Sequence, residues 1–270
     1  MRLACVQCDV VFGDPLANAR HAANELRRLA GEGVQLAVFP EAFLTGYCVD
    51  CLEDARSIAI PLDHEAIFHL IEVCNETGLH AIFGFAEETE GRIYNSAALI
   101  MPGYHPRVYR KTHLPEMGLD KHVSPGSNLP VFDTRLGKIA ILICFDLRPP
   151  EAARVLTLRG AQLIVLVTNW PVGAETSADH IAIARAAENR VFLAACNRVG
   201  EEQGFRFIGR SKIIDPTGKV IEAAQDEART IVADIDLDEA LVKRSVMIPG
   251  KYEIAVLGCR RPELYDSLLQ

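Results

Sequence analysis

Residues 139–143 read Ile-Ala-Ile-Leu-Ile, with no polar side chain among them. An extended segment this uniformly apolar must be covered on both faces, as a central strand in a parallel or mixed sheet is. Residues 35–39 and 163–168, apolar apart from Gln35 and Thr168 at their ends, read as buried strands as well. Between such strands lie helical periodicities at 18–30, 65–77, 150–158 and 178–189. The first carries Ala19, Ala22, Ala23, Leu26 and Leu29 on one stripe, and the second Ile67, Leu70, Ile71 and Cys74. Further strands are predicted at 3–7, at 81–87 and 92–101 about a Glu-Gly turn, and at 107–114, 191–196, 209–214, 220–222 and 230–235. A short helix near 237–244 precedes an irregular tail. Strands alternating with helices, some wholly apolar and others alternating, specify a layered α/β protein with mixed sheets.

The chain has 270 residues, 49% of them hydrophobic, which is enough for a large core. No Pro/Gly/Ser-rich linker, low-complexity tract or repeat divides it, so residues 1–270 are expected to form a single domain. The net charge of −8 and the lack of any long Lys/Arg cluster argue against nucleic acid or an anionic membrane as partner. No apolar run approaches the ~18 residues of a membrane helix, and the amino terminus lacks the pattern of a signal peptide. A cytoplasmic protein is expected.

Eight cysteines are present. Without an export signal, free thiols are the expectation. Cys5/Cys8 and Cys48/Cys51 form two C-x-x-C pairs, which could in principle make a zinc site. Cys5 to Cys8 falls in a predicted strand, however, where residues three apart point to opposite faces and chelate poorly. No metal or other cofactor is expected.

Three segments put a reactive side chain at the end of a buried strand, the usual position for sites in α/β folds. Residues 36–41 run Leu-Ala-Val-Phe-Pro into Glu41. Residues 107–114 carry Lys111 and His113 on one predicted strand face. Residues 139–151 run from an apolar strand through Cys144 and Phe145 to a helix start at Pro150. The last is a strand–turn–helix elbow of the kind that exposes a nucleophile above a sheet. A thiol, a carboxylate and an ammonium suffice for acyl transfer: the carboxylate takes the thiol proton, the thiolate attacks a carbonyl, and the ammonium stabilises the oxyanion. A Cys144–His113 pairing is the rival assignment.

Phe39-Pro-Glu41, Tyr109-Arg-Lys111-Thr-His-Leu, Ile143-Cys144-Phe-Asp146-Leu-Arg148-Pro-Pro-Glu151 and Thr168-Asn-Trp-Pro171 together resemble the nitrilase superfamily of carbon–nitrogen hydrolases. The resemblance runs from the first strand to Arg210-Ser-Lys-Ile-Ile-Asp-Pro-Thr-Gly218 and implies a four-layer α-β-β-α sandwich with two mixed sheets. It implies Glu41 as general base, Cys144 as nucleophile and Lys111 as stabiliser of the tetrahedral intermediate, with no cofactor and with His113 structural. Many members carry a second glutamate shortly before a Pro-Gly. Here Asp120 sits nearest that place before Pro125-Gly126, with Glu116 as the other candidate. The backbone N–H of Phe145 is expected to bind the oxyanion, and Asn169 and Trp170 to contact substrate. Arg148 is expected to pair with Glu151 or Asp146.

Cys144-Phe-Asp-Leu-Arg-Pro-Pro-Glu151 is similar to the amidase and ω-amidase branch, which implies hydrolysis of a small amide to acid and ammonia through a thioester. Hydrolysis of N-carbamoyl compounds, nitrile hydrolysis and a silent binding homologue are the alternatives. Members of the family usually form homodimers or higher homo-oligomers, which the resemblance implies here too.

Overall fold

The computed structural model describes residues 1–269. In chain order the elements are β1 (Arg2–Gln7), α1 (Pro15–Gly31), β2 (Leu36–Val38), α2 (Leu52–Ile58), α3 (Glu65–Thr77), β3 (His80–Thr89), β4 (Arg92–Ile100) and β5 (Arg107–Arg110). The second half follows with β6 (Val131–Thr134), β7 (Gly137–Ile143), α4 (Pro150–Leu158), β8 (Leu163–Thr168), α5 (Ala182–Asn189) and β9 (Phe192–Asn197). The remaining strands are β10 (Glu201–Glu202), β11 (Phe205–Arg206), β12 (Lys212–Ile214), β13 (Val220–Ala223), β14 (Arg229–Asp234), β15 (Ser245–Ile248) and β16 (Tyr252–Ile254).

Two six-stranded sheets result, ordered β14-β1-β2-β3-β4-β5 and β13-β12-β9-β8-β7-β6. Both are mixed. In the first, β1, β2 and β3 are parallel neighbours and the outer pairs are antiparallel. In the second, β7, β8 and β9 are parallel and the outer pairs antiparallel.

Side-chain alternation along the strands builds the layers. Leu3 and Cys5 of β1, Val38 of β2 and Leu99 of β4 face the second sheet and join one core with Ile141, Val165 and Ala194. Ala4 and Val6, with Ala37, Phe83 and Ile100, point the other way and pack under α1 and α3 against Leu26, Leu29, Leu70 and Cys74. The far face of the second sheet is covered by α4 and α5 through Ala153, Leu156, Ala182 and Ala186. Each sheet thus has a helical layer outside and the other sheet inside, the α-β-β-α arrangement.

Several boundaries differ from the sequence expectation. Helix α1 starts at Pro15 because the Asp14 carboxylate caps the Ala17 N–H at 2.9 Å. In α3 it is Val73, not Ile71, that completes the buried stripe. The helix expected from 178 opens as a π-turn over Ser177–Ile181 before α5 begins. The strand expected over 107–114 ends at Arg110, so strand alternation does not extend to Lys111 and His113. The tail is less irregular than expected: it forms the β15–β16 hairpin and short 3-10 turns. Cys5 of β1 packs between the sheets, and Cys8, just past the end of that strand, packs against the helical layer, so the two thiols point apart. Among the described residues no helix is long and apolar enough to cross a membrane.

Candidate active site

The site forms where the carboxyl ends of β2, β7 and β8 meet the loop leaving β5. Glu41 follows β2 through Phe39 and Pro40, in a turn whose next residue, Ala42, has φ 47°. The turn lies directly on β3 at Gly84, where a Cβ would stand 2.3 Å from the Ala42 nitrogen and 2.7 Å from the Glu41 Cα. Only a residue without a side chain fits there. Gly84 N donates to Pro40 O at 3.0 Å, and Glu41 is fully buried.

Lys111 is fixed by its backbone on both sides. Its N–H donates to Asn95 O at 2.8 Å and its carbonyl accepts from Gly126 N at 2.7 Å. Gly126 also has no room for a side chain, since a Cβ would lie 2.2 Å from Arg110 O. The side chain of Lys111 is fully buried, with Nζ 2.8 Å from Glu41 Oε1 and 2.6 Å from Asp120 Oδ2. Asp120 comes from a 3-10 turn over Gly118–Lys121 and also accepts from the Tyr47 hydroxyl at 2.8 Å. Of the two candidates for the second acid, the fold brings Asp120 to Lys111 and leaves Glu116 exposed.

Cys144 ends β7 in a left-handed conformation, φ 45°. For a non-glycine residue this costs about 1–3 kcal/mol and persists only where its surroundings hold it. Asp146 supplies that hold. Its Oδ2 accepts from Ile143 N at 3.1 Å and from the Tyr109 hydroxyl at 2.7 Å. Its Oδ1 accepts from His113 N and the Thr112 hydroxyl, both at 2.9 Å, and lies 2.7 Å from His113 Nδ1. Asp146 therefore ties the elbow on the second sheet to the loop carrying Lys111 on the first. His113 is used in this tie, which leaves its Nδ1 bonded to Asp146. Arg148 does not pair with Asp146 or Glu151 as expected, because the Asp146 oxygens are already occupied; its Nη1 lies 3.2 Å from Ser177 Oγ.

The electrostatics follow from burial and from these neighbours. Burial and the charge of Glu41 push the Cys144 thiol up to about 12, against the pull of Lys111, Thr168 and the Asn169 N–H. Burial raises Glu41 above the ordinary glutamate range and nearby Asp120 adds to it, while Lys111 and Asn95 oppose the shift. Burial alone would lower Lys111, but Asp120 and Glu41 outweigh it and hold the ammonium charged. Asp146 is drawn below the ordinary range despite its burial, by His113 and Tyr109.

Beside Cys144 opens a pocket of about 290 Å³ walled by Tyr47, Met117, Phe145, Trp170 and Val172, with Asn169 among its lining. Phe145, Asn169 and Trp170, the three residues expected to contact substrate, thus line one pocket with Cys144. Asn169 is 2% exposed, yet neither its side-chain oxygen nor its nitrogen has a partner among the described residues. Trp170 donates its backbone N–H to Asn197 Oδ1 at 2.7 Å, so Asn197 serves as a brace for the loop.

Sequence reasoning passed over Tyr47, Asn95 and the Arg198–Glu202 pair. Glu202 accepts from Tyr47 N at 2.8 Å and Cys48 N at 2.6 Å, and its other oxygen is 2.7 Å from the buried Arg198. This fixes the loop that carries Tyr47. The available signal was polarity out of place: Asn95 and Ser96 sit in the middle of a strand with Ile93 before and Ala97 to Ile100 after, and Arg198 follows Asn197 at the end of a mainly apolar one. Of the C-x-x-C pairs, Cys51 is exposed and caps α2, and no group of three or more His, Cys, Asp or Glu side chains among the described residues is placed to hold a metal.

The chain matches the carbon-nitrogen hydrolase family model over residues 2–242. It is 34% identical over 275 residues to a probable nitrilase of Schizosaccharomyces pombe, covering 99% of this chain and 98% of that protein. It is 35% identical over 248 residues to an (R)-stereoselective amidase of a Pseudomonas species, covering 90% and 88%. The fold superposes with a TM-score of 0.84 on a cysteine-to-alanine mutant of an amidase from Nesterenkonia AN1 of the nitrilase superfamily, at 24% identity and covering 99% and 97% of the two chains.

Proposed function

The chain belongs to the carbon–nitrogen hydrolase family, and on that premise we propose that it is an amidase cleaving the C–N bond of a small amide through a cysteine thioester. The observation that carries this reading is the ammonium of Lys111, held 2.8 Å from Glu41 and 2.6 Å from Asp120 and acting electrostatically on the strained Cys144.

A thiol pushed up to about 12 is protonated at neutral pH, so it needs a base as it attacks. Glu41 takes the Sγ proton while sulfur bonds to the amide carbon. The oxygen that gains the negative charge is stabilised by Lys111 Nζ and by the backbone N–H of Phe145, the second residue of the 3-10 turn Cys144–Leu147. The intermediate collapses, the C–N bond breaks, and the nitrogen leaves as ammonia with the proton returned by Glu41. Water, deprotonated by Glu41, then adds to the thioester; the C–S bond breaks, the departing sulfur takes that proton back from Glu41, and the carboxylic acid leaves. Asn169 and Trp170 orient the acyl group in the pocket. Asp120 keeps Lys111 charged and in place.

The reading also takes residues 1–270 as one domain, supported by the core shared between the two sheets. It takes the protein as a homo-oligomer, supported by the exposed Val246, Met247, Ile248, Tyr252 and Ile254 on the β15–β16 hairpin. Light scattering on the purified chain tests the latter; a monomer at all concentrations overturns it.

The deciding experiment is ammonia release across short aliphatic amides, ω-amides of dicarboxylates, amino-acid amides, N-carbamoyl amino acids and nitriles. An amide is expected to be the best substrate. Preference for a nitrile or carbamoyl compound over every amide overturns the proposal.

A further inference from the structure

Asn95 sits on β4, facing neither the pocket nor solvent, and is 1% exposed. It nevertheless touches three residues of the site. Its Nδ2 donates to Glu41 Oε1 at 2.8 Å and to Asp120 Oδ1 at 2.9 Å, and its backbone oxygen accepts from Lys111 N at 2.8 Å. The amide orientation is chemically determined, because ionised carboxylates only accept and only the NH2 end can bond both. Its Oδ1 is left without a partner among the described residues, although it is buried.

Accounting for the four carboxyl oxygens shows the consequence. Glu41 Oε1 receives Asn95 and Lys111. Asp120 Oδ1 receives Asn95, and Asp120 Oδ2 receives Lys111 and Tyr47. Glu41 Oε2 alone has no donor among the described residues and is buried. An oxygen already engaged by two donors is a poor proton acceptor; a bare one in a low-dielectric site is a good one.

We propose that Asn95 is a positioning residue that makes Glu41 Oε2 the proton-accepting oxygen of the site, by occupying one oxygen of each carboxylate with its two N–H groups. The proposal rests on the reading of Glu41 as the base. It divides the labour of the two acids: Asp120 has a donor on each oxygen and holds Lys111, and Glu41 keeps one oxygen for the Cys144 proton. Asn95 itself touches no reacting atom. The groups acting on Glu41 are Lys111, Asp120 and Asn95, with Cys144 charged only after it loses its proton. Without Asn95, Glu41 loses a donor that favours its ionised form, and only Lys111 is left to distinguish its two oxygens.

The test is Asn95→Leu, which keeps the branched heavy-atom shape and removes both donors, alongside Asn95→Ser, whose single hydroxyl can serve only one carboxylate at a time. Two readouts are taken against pH: kcat and KM for the best amide, and the rate at which iodoacetamide alkylates the Cys144 peptide, followed by mass spectrometry. Asn95→Leu is expected to lower kcat at least ~10-fold with little change in KM, and to move the acid limb of both profiles upward by about one pH unit. Asn95→Ser is expected to fall between it and the parent. A folded Asn95→Leu with kcat and acid limb unchanged overturns the proposal, as does failure of both variants to fold, which would make Asn95 a stability element. The alkylation profile separates this from failure of the functional reading: a parent protein that hydrolyses no amide overturns that reading, while its alkylation limb still reports on Asn95.

Discussion

Asp146, two residues beyond Cys144, lies with its Oδ1 2.7 Å from Nδ1 of His113, two residues beyond Lys111. The contact joins the loop that aims the ammonium to the elbow that aims the thiol, across two different sheets. Because the link is ionic, it has a pH dependence with a defined sign. His113 is raised above 6.5 chiefly by Asp146, so its stabilisation is full below 6.5 and is lost as pH rises through the higher folded value. Asp146 is lowered from 3.8, so its stabilisation is full above 3.8 and is lost as pH falls through the folded value. Urea midpoints of the parent and His113→Gln should therefore differ most between these limits and converge as pH rises through the folded value of His113. A difference that grows with rising pH contradicts the arrangement.

Glu41 must be ionised to accept the thiol proton, and burial raises it above the ordinary value of 4.5. The acid limb of kcat/KM should consequently fall at a pH above 4.5 and disappear with all turnover in Cys144→Ala. A profile for the parent that stays flat down to 4.5 is incompatible with this base.

Lys111→Met should lower the rate by at least the ~10²–10³ typical of losing one oxyanion donor. It should also destabilise the fold by roughly 3–5 kcal/mol, because the buried acids it leaves have no cation. Adding Asp120→Asn to Lys111→Met should restore part of the stability and none of the activity. Thermal melts and ammonia release on the single and double variants separate the two effects; recovery of activity in the double variant goes against the assigned role.

Gly84→Ala places a methyl group 2.3 Å from the Ala42 nitrogen, on rigid backbone. The Glu41 turn must lift off β3, with a stability cost of about 1–3 kcal/mol and a fall in kcat larger than that in affinity. Gly91→Ala is the contrast, since nothing lies within 4 Å of its Cβ position, though its φ of +74° makes a modest strain cost common to both folded and active enzyme. Equal kcat for the parent and Gly84→Ala means the turn does not position the base.

The apolar runs at β7 and β8 and the periodicities of α3 and α4 were legible because burial on both faces and one-sided helical burial leave direct marks on residue order. Glu41 and Cys144 stood out as candidates because each follows an apolar strand, and Lys111 because a lysine in an alternating strand run needs a partner; the fold brings Lys111 to Glu41. The end of β5 at Arg110 was not legible, since basic residues continue the alternating pattern into a loop held by Gly126 and Asp146. Arg148 was misjudged for a similar reason: neighbours in sequence compete with partners that only the fold supplies.

What the sequence determined by itself is the alternation of buried strands with one-sided helices and the candidates Glu41, Lys111 and Cys144, because hydrophobic period and residue chemistry are local properties. The tertiary structure decided which groups hold them. That Asp120 rather than Glu116 reaches Lys111, that Asn95 bridges Glu41 and Asp120, and that Asp146 joins the two halves of the site all depend on hydrogen bonds between segments 9 to 54 positions apart. Such bonds are short and directional, so ångström-scale placement of separate strands and loops selects among polar residues that the chain order leaves equivalent.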